Sequence, residues 1–223
     1  MGSHTLTVAE ARSEARSMRL LVIGGALLVM ASIGVGWIMV SRNEAIDLSG
    51  PPLPIGPTVP DFSLTERSGQ PITRADLLGK VWIADFVFTR CSGPCPTLSA
   101  RMQALQTALA DAPGVLLVTF TLDPVNDTAV VLSDYAKRFH ADSRRWLFVT
   151  GDKEEVVQKF VIEGLKQTVI PPKGDDPLIH SQYLVIVDAT GRIRAAHDGL
   201  DVTTKPLVLR DVRKLLLEAA TTP

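Results

Sequence analysis

The sequence has 223 residues, of which 46% are hydrophobic and 21% are charged, with a formal net charge of −1. This near-neutral balance gives no sign of the clustered basic surface by which proteins bind nucleic acids, so no nucleic-acid partner is expected. The length suits one folded domain with shorter additional segments, because the hydrophobic residues are spread unevenly along the chain.

Residues 20–40 form a run of 21 amino acids without a charge. An α-helix of that length is about 30 Å long, which matches the hydrocarbon core of a bilayer. A buried core helix would show a polar face, and the apolar part of a cleaved signal peptide is usually about 7–15 residues long. The run is therefore predicted to be an uncleaved transmembrane anchor.

The charges around this run predict its orientation. Arg12, Arg16 and Arg19 precede it, and the positive-inside rule makes residues 1–19 a cytoplasmic tail. The predicted protein crosses the membrane once, with its soluble domain outside the cytoplasm. In a bacterium this is the periplasmic face of the inner membrane.

Residues 41–57 follow the predicted anchor and are rich in proline. Such a composition is typical of a semi-rigid, extended tether that holds a domain clear of the membrane. The folded domain is predicted to occupy residues 58–220, which is an ordinary size for a single hydrophobic core.

Within that domain, apolar runs typical of strands alternate with amphipathic runs typical of helices. The predicted strands are 80–88, 114–122, 146–150, 183–188 and 192–196, and the predicted helices are 94–110, 128–140, 152–164 and 204–219. Val156 is predicted to face inward from the third of these helices. The alternation predicts an α/β fold, in which a central mixed sheet carries helices on both faces.

The chain has two cysteines, Cys91 and Cys95, and both lie between the first central strand and the helix that follows it. Their spacing permits a short structural disulfide, a redox pair or a metal clamp. A helix N-terminus presents unpaired amides and a partial positive charge, which are predicted to lower the pKa of these thiols. Two thiolates with an added imidazole form a site of the kind that holds Cu(I).

Of the four histidines, His180 is the best candidate for that imidazole. It lies just before the strand at 183–188, so it falls beside the thiols if that strand neighbours the cysteine strand. His4 lies in the predicted tail, His140 ends a predicted helix, and His197 is predicted to be a turn residue. An ordinary loop role for His180 remains open on spacing alone.

Three segments, FVFTRCSGPCP, FTLDPVNDT and HSQYLVIVDATGRI, together resemble the Sco/SenC family of membrane-anchored proteins over residues 58–215. The resemblance implies a thioredoxin-like fold and copper ligation by Cys91, Cys95 and His180, with Cu(I) as the expected ion and Cu(II) as a second candidate. It implies a metallochaperone that supplies the binuclear copper centre of cytochrome c oxidase or keeps the thiols of that centre reduced. Asp123 matches an acidic position of the family, although it also suits a turn with Pro124.

The resemblance implies two kinds of partner: the copper-accepting subunit of the oxidase, and a thiol reductant or another copper carrier. A thiol-disulfide oxidoreductase acting through Cys91 and Cys95 is the alternative function, so an enzymatic role stays open. Gly93-Pro94-Cys95 is similar to half of the thioredoxin active site, but the CxxxC spacing is one residue wider. A peroxidase of the peroxiredoxin type is disfavoured, because Phe88 stands where that family has threonine.

Overall fold

The computed structural model describes residues 25, 30, 46–170 and 178–221. The predicted tail 1–19 lies outside the described residues, as does the predicted anchor 20–40 apart from Gly25 and Met30. Among the residues described, no helix combines the length and apolarity needed to cross a bilayer. The folded unit runs from Asp47 to Pro223, so it begins ahead of the predicted domain start at residue 58.

The five predicted strands and four predicted helices are present in this unit, and four short strands and one short helix are additional. The strands are β1 (Ser63–Glu66), β2 (Pro71–Thr73), β3 (Val81–Val87), β4 (Val115–Thr121), β5 (Trp146–Thr150), β6 (Val169–Ile170), β7 (Ile179–His180), β8 (Tyr183–Val187) and β9 (Ile193–Asp198). The helices are α1 (Arg74–Leu77), α2 (Cys95–Ala108), α3 (Ala129–Arg138), α4 (Glu154–Lys159) and α5 (Thr204–Thr221).

Seven of the strands form one mixed sheet, in the order β2-β1-β5-β4-β3-β8-β9. Strand β3 lies inside this sheet, parallel to β4 and antiparallel to β8, and all seven of its residues are buried. Burial on both faces explains why its sequence is apolar almost without alternation. Strands β8 and β9 form the predicted antiparallel hairpin, with Gly191 in the turn at a φ of 81°.

Each face of the sheet has its own hydrophobic core. Val81, Ile83 and Val87 of β3 belong to the core that α2, α3 and α5 cover. The alternate residues Trp82, Ala84 and Phe86 belong to the second core, which is covered by α1 and α4. The prediction of a mixed sheet with helices on both faces is confirmed.

The structure divides the predicted helix 152–164 into an α-helix and a π-helix. Its α-helical part, α4, begins at Glu154, and it widens at Phe160 into a five-residue π-helix, Phe160–Gly164. A π-helix breaks the 3.6-residue period on which the inward residues were assigned. Val157, Phe160 and Val161 are buried as predicted, but the prediction for Val156 is wrong, because its side chain is 49% exposed.

The proline-rich segment does not stand clear of the domain. Residues 49–59, here called the N-terminal strap, run along the outer edge of β9. The Gly56 and Val59 amides donate to the carbonyl oxygens of Ile193 (2.9 Å) and Gly191 (2.8 Å), and the Ile193 amide donates to Pro57 (3.0 Å). A tether was expected here because proline favours extended backbone, and the same extended backbone allows the strap to pair with a strand edge.

Arg194 and Gly56 fix the strap against β9. The Arg194 guanidinium is 6% exposed and donates to the carbonyl oxygens of Pro54 (2.9 Å) and Leu53 (2.8 Å). The same group pairs with Asp188 at 3.0 Å. Gly56 is required where the strap crosses β9, because a Cβ there would lie 2.5 Å from the Ile193 carbonyl oxygen.

Candidate metal centre

Cys91 lies in the turn between the end of β3 and the start of α2, and Cys95 lies at the start of α2. Pro94 is the N-cap of α2, so Cys95 is the first helical residue. The Cys91 amide donates to the Phe88 carbonyl oxygen at 3.1 Å, which folds the preceding residues into a turn. Cys95 is fully buried and Cys91 is half-buried, and no disulfide joins them in this structure.

The structure brings His180 to the same place. Strand β8 is the antiparallel neighbour of β3, which is the condition on which the prediction for His180 depended. His180 Nε2 lies 3.7 Å from Cys95 Sγ, and its ring packs edge-on against Phe88 with ring centroids 5.9 Å apart. The second ring nitrogen, Nδ1, lies 2.8 Å from the Ser181 carbonyl oxygen. Because a carbonyl can only accept, Nδ1 carries the proton, and the lone pair of Nε2 faces the Cys95 thiol.

Burial has a larger effect than the helix N-terminus on the pKa values of Cys95 and His180. It raises the pKa of the Cys95 thiol well above its ordinary value, and the hydrogen bond with Cys91 raises it further. The prediction that the helix N-terminus lowers the thiol pKa is therefore wrong for Cys95. Burial also lowers the pKa of His180, against the opposing effect of the hydrogen bond to Ser181, so the imidazole is neutral at pH 7.

A cavity of about 540 Å³ opens beside Cys91 and His180, and the buried Cys95 does not line it. The cysteine turn forms one wall and Leu178–His180 the other, with Phe88, Arg90 and Gln182 between them. In the described part of the chain, no three His, Cys, Asp or Glu side chains are already arranged as a closed metal site. The candidates meet pairwise, Cys91 with Cys95 and Cys95 with His180. Two sulfurs and one imidazole nitrogen grouped next to this cavity are a donor set that suits Cu(I).

The comparison with known proteins assigns the family. The family model described as SCO1/SenC matches residues 54–217. This chain belongs to the SCO1/SenC family. A curated relative, the SCO1 protein homolog of Bacillus subtilis, is 30% identical over 161 residues, covering 72% of this chain and 83% of the relative.

Solved structures of Sco proteins share the fold of this SCO1/SenC chain. A SCO1/SenC family lipoprotein from Bacillus anthracis is 30% identical, with a TM-score of 0.67, over 71% of this chain and 95% of its own. BsSco, described as having a disulfide switch, is 28% identical, with a TM-score of 0.69, over 77% and 99%. Yeast Sco1 with copper bound has a TM-score of 0.57 at 23% identity, over 78% and 96%. The mixed sheet flanked by helices matches these thioredoxin-like Sco structures.

A buried carboxylate ties the cysteine turn of this SCO1/SenC protein to the neighbouring β4–α3 loop. Asp127 is fully buried and accepts hydrogen bonds from the Thr89 amide (2.9 Å) and from the hydroxyls of Thr89 and Thr121. Thr128, the next residue, is the N-cap of α3. Asp123 accepts from Arg90 at 2.8 Å and from Asn126 at 2.7 Å, so it braces the same turn from outside.

We expect Asp127→Ala to lower the free energy of unfolding by about 2 kcal/mol, because two donors of the partly buried Thr89 and one of the buried Thr121 lose their acceptor. Urea denaturation measures this change. Asp123→Ala is the matched control, since its ion pair involves Arg90, whose side chain is 65% exposed, and it should cost less than about 1 kcal/mol. Equal losses in the two variants would contradict the bracing role of Asp127.

Asp85 lies in β3, on the core face that α2 covers. It is fully buried, and it accepts a hydrogen bond from the Thr119 hydroxyl, which in turn accepts one from Trp146 Nε1 at 2.8 Å. Its other oxygen, Oδ2, has no hydrogen-bond partner among the described residues. Burial raises the pKa of Asp85 to about 7, although the Thr119 hydrogen bond acts to lower it.

The other two histidines that the structure describes, His140 and His197, do not reach the site. His197 lies inside β9 and not in the predicted turn, and its Nε2 pairs with the buried Asp211 at 2.8 Å. His140 follows α3 on the surface, with a φ of 51°, and His4 is outside the described residues. The sequence prediction for His197 missed a contact between β9 and α5 that only the tertiary structure reveals.

Proposed function

We propose that this protein binds copper through Cys91, Cys95 and His180 and delivers it to the binuclear copper centre of cytochrome c oxidase, or maintains the thiols of that centre. The observation that carries the proposal is the 3.7 Å approach of His180 Nε2 to Cys95 Sγ, beside the second thiol. BsSco is described as a member of the Sco family of cytochrome c oxidase assembly proteins. Sco proteins of the same fold from yeast and Bradyrhizobium japonicum have been solved with copper bound.

The chemistry of loading follows from the state of the three groups. Cu(I) prefers thiolate sulfur, so each bound cysteine must release its proton. The neutral imidazole offers its Nε2 lone pair without losing a proton. The half-buried Cys91 lies on the solvent side, where an incoming thiolate of the acceptor can replace it. Cu(I) is the expected cargo, and Cu(II) is the second candidate.

The proposed setting is the membrane surface. Residues 20–40 would anchor the protein with its N-terminus in the cytoplasm, and the soluble domain would meet its partners on the other side. Those partners are the copper-accepting subunit of the oxidase and a thiol reductant or copper carrier. The uncharged run at 20–40 and the arginines before it support this topology.

His180→Ala tests the proposal. In the reduced folded unit 47–223, we expect this change to weaken Cu(I) binding by about tenfold or more, since a lost contribution of about 1.4 kcal/mol already has that effect. Competition against a chromophoric Cu(I) chelator measures the affinity. His140→Ala is the control, because that ring lies on the surface away from the thiols. Equal affinities in wild type and His180→Ala would remove His180 from the site.

The thiol pair also supports a second candidate function, thiol-disulfide exchange. Cys91 is the more exposed thiol, and it is hydrogen-bonded to the buried Cys95. The Cys91 thiolate would attack a target disulfide and release one target thiolate, and Cys95 would then displace the second target sulfur. The target gains two electrons, Cys91 and Cys95 become a disulfide, and a thiol reductant resets the pair. His180→Ala should leave this exchange nearly unchanged, which separates it from copper binding.

A further inference from the structure

The strand that carries His180 has little support of its own. Strands β6 and β7 pair over two residues each, Val169 with His180 and Ile170 with Ile179, and they lie outside the seven-stranded sheet. So short a ladder is marginal in water. Other contacts must therefore hold the imidazole where it meets the Cys95 sulfur.

Ser181 supplies those contacts, because each of its polar groups is used. Its carbonyl oxygen accepts from His180 Nδ1 at 2.8 Å, and its amide donates to the Thr168 carbonyl oxygen at 2.8 Å. Its hydroxyl donates to Gln167 Oε1 at 2.7 Å and accepts from the Tyr183 amide at 3.3 Å. The Ser181 carbonyl oxygen selects the tautomer of the His180 ring, and the bond from the Ser181 hydroxyl to Gln167 holds Ser181 in position.

Gln167 is itself tied to the protein core. Its Nε2 donates to the Leu165 carbonyl oxygen at 2.9 Å, and its amide donates to the Val161 carbonyl oxygen at 3.1 Å. Leu165 and Val161 are fully buried at the π-helical turn. Lys166 adopts a positive φ of 59°, which turns the chain out of the helix and points it into β6.

We infer that Gln167 and Ser181 are positioning residues that hold the His180 ring with Nδ1 protonated and Nε2 facing Cys95. Neither residue touches the metal, and this inference deepens the proposed copper site and rests on it. Groups that orient a ligating histidine through its second nitrogen usually change metal affinity by about 10- to 100-fold when they are removed. Phe88 also packs against the ring, so we expect the lower end of that range.

The test uses the reduced folded unit 47–223 without metal and then with Cu(I). In the metal-free protein, ¹⁵N–¹H NMR of the His180 ring should report one tautomer in wild type and a mixture in Gln167→Ala and Ser181→Ala. With Cu(I), chelator competition should show about tenfold weaker binding in both variants. Ser181→Thr, which keeps the hydroxyl, should restore both readouts.

Thr168→Ala is the matched control, because Thr168 contacts Ser181 through its backbone carbonyl and its side chain is exposed. It should leave the tautomer and the affinity as in wild type. Wild-type ring signals in both Gln167→Ala and Ser181→Ala, or an equal change in Thr168→Ala, would overturn the inference. The metal-free NMR result tests the positioning inference without copper. The proposed function is tested separately, and it fails if wild type and His180→Ala bind Cu(I) equally.

Discussion

Asp85→Asn should make the reduced, metal-free protein more stable at pH 8 and remove part of the pH dependence of its unfolding. The cause is the buried carboxylate of β3, whose Oδ2 has no partner among the described residues. Its folded pKa of about 7 lies above the ordinary value of 3.8. As the pH rises between these two values, the unfolded chain gives up the Asp85 proton while the folded protein keeps it.

The sign follows from this difference in bound protons. Because the folded state binds more protons across this interval, the contribution of Asp85 to stability falls with rising pH and levels off above about pH 7. Each pKa unit corresponds to about 1.4 kcal/mol, so the wild type should lose on the order of 3 kcal/mol through this group between pH 5 and pH 8. Asparagine keeps an acceptor for the Thr119 hydroxyl but carries no charge.

Urea denaturation of the folded unit 47–223 at pH 5 and pH 8 measures this loss in the two proteins. Asp152→Asn is the control, since that residue is exposed and should leave the wild-type pH dependence unchanged. A loss between pH 5 and pH 8 that is as large in Asp85→Asn as in wild type would show that Asp85 is not the group responsible.

Arg194→Met should destabilise the domain by about 3–5 kcal/mol, because it removes a buried cation from hydrogen-bonded partners. The guanidinium neutralises Asp188 and satisfies the carbonyl oxygens of Leu53 and Pro54 in the N-terminal strap. Loss of the strap's anchor should also speed hydrogen exchange at the Gly56 and Val59 amides, which pair with the edge of β9. The stability of Arg194→Lys should lie between those of wild type and Arg194→Met, since one ammonium cannot reproduce the forked geometry of the guanidinium.

Urea denaturation gives the stability change, and hydrogen exchange locates it. Arg192→Met is the matched control: it lies two residues away, next to β9, and its side chain is exposed. Its backbone still bridges to Thr58, so its effect should stay within about 0.5 kcal/mol. If the Gly56 and Val59 amides kept wild-type exchange rates in Arg194→Met, the strap would not depend on this arginine.

The central part of the fold could be predicted from the sequence, because its local signals agree with the tertiary structure. Strand β3 is continuously apolar, and Pro94 marks the start of α2, so the placement of the cysteines between them followed directly. The π-helix at Phe160–Gly164 could not be predicted from a helical period, since it changes that period. The strap is bonded to Arg194, about 140 residues further along the chain, and no local pattern connects the two.

In the candidate site, too, some features could be predicted from the sequence and others depend on tertiary contacts. Residue type and strand order make Cys91, Cys95 and His180 candidates, and the family resemblance implies all three as ligands. The structure brings Cys95 and His180 within 3.7 Å. The direction of the Cys95 pKa shift was wrong, because the sequence shows a helix N-terminus but not how fully the thiol is buried. Gln167 was missed, because nothing in the sequence signals that its side chain meets Ser181.

The pairing of the strap with β9 also bears on the order of folding. Gly56 and Val59 bond to residues 191–193, so the earliest residues of the domain cannot pair until β9, the last strand, begins to be synthesised. Contacts between such distant parts of a chain form slowly, because a long loop has to close first. The outer edge of β9 therefore has no cover until the strap joins it.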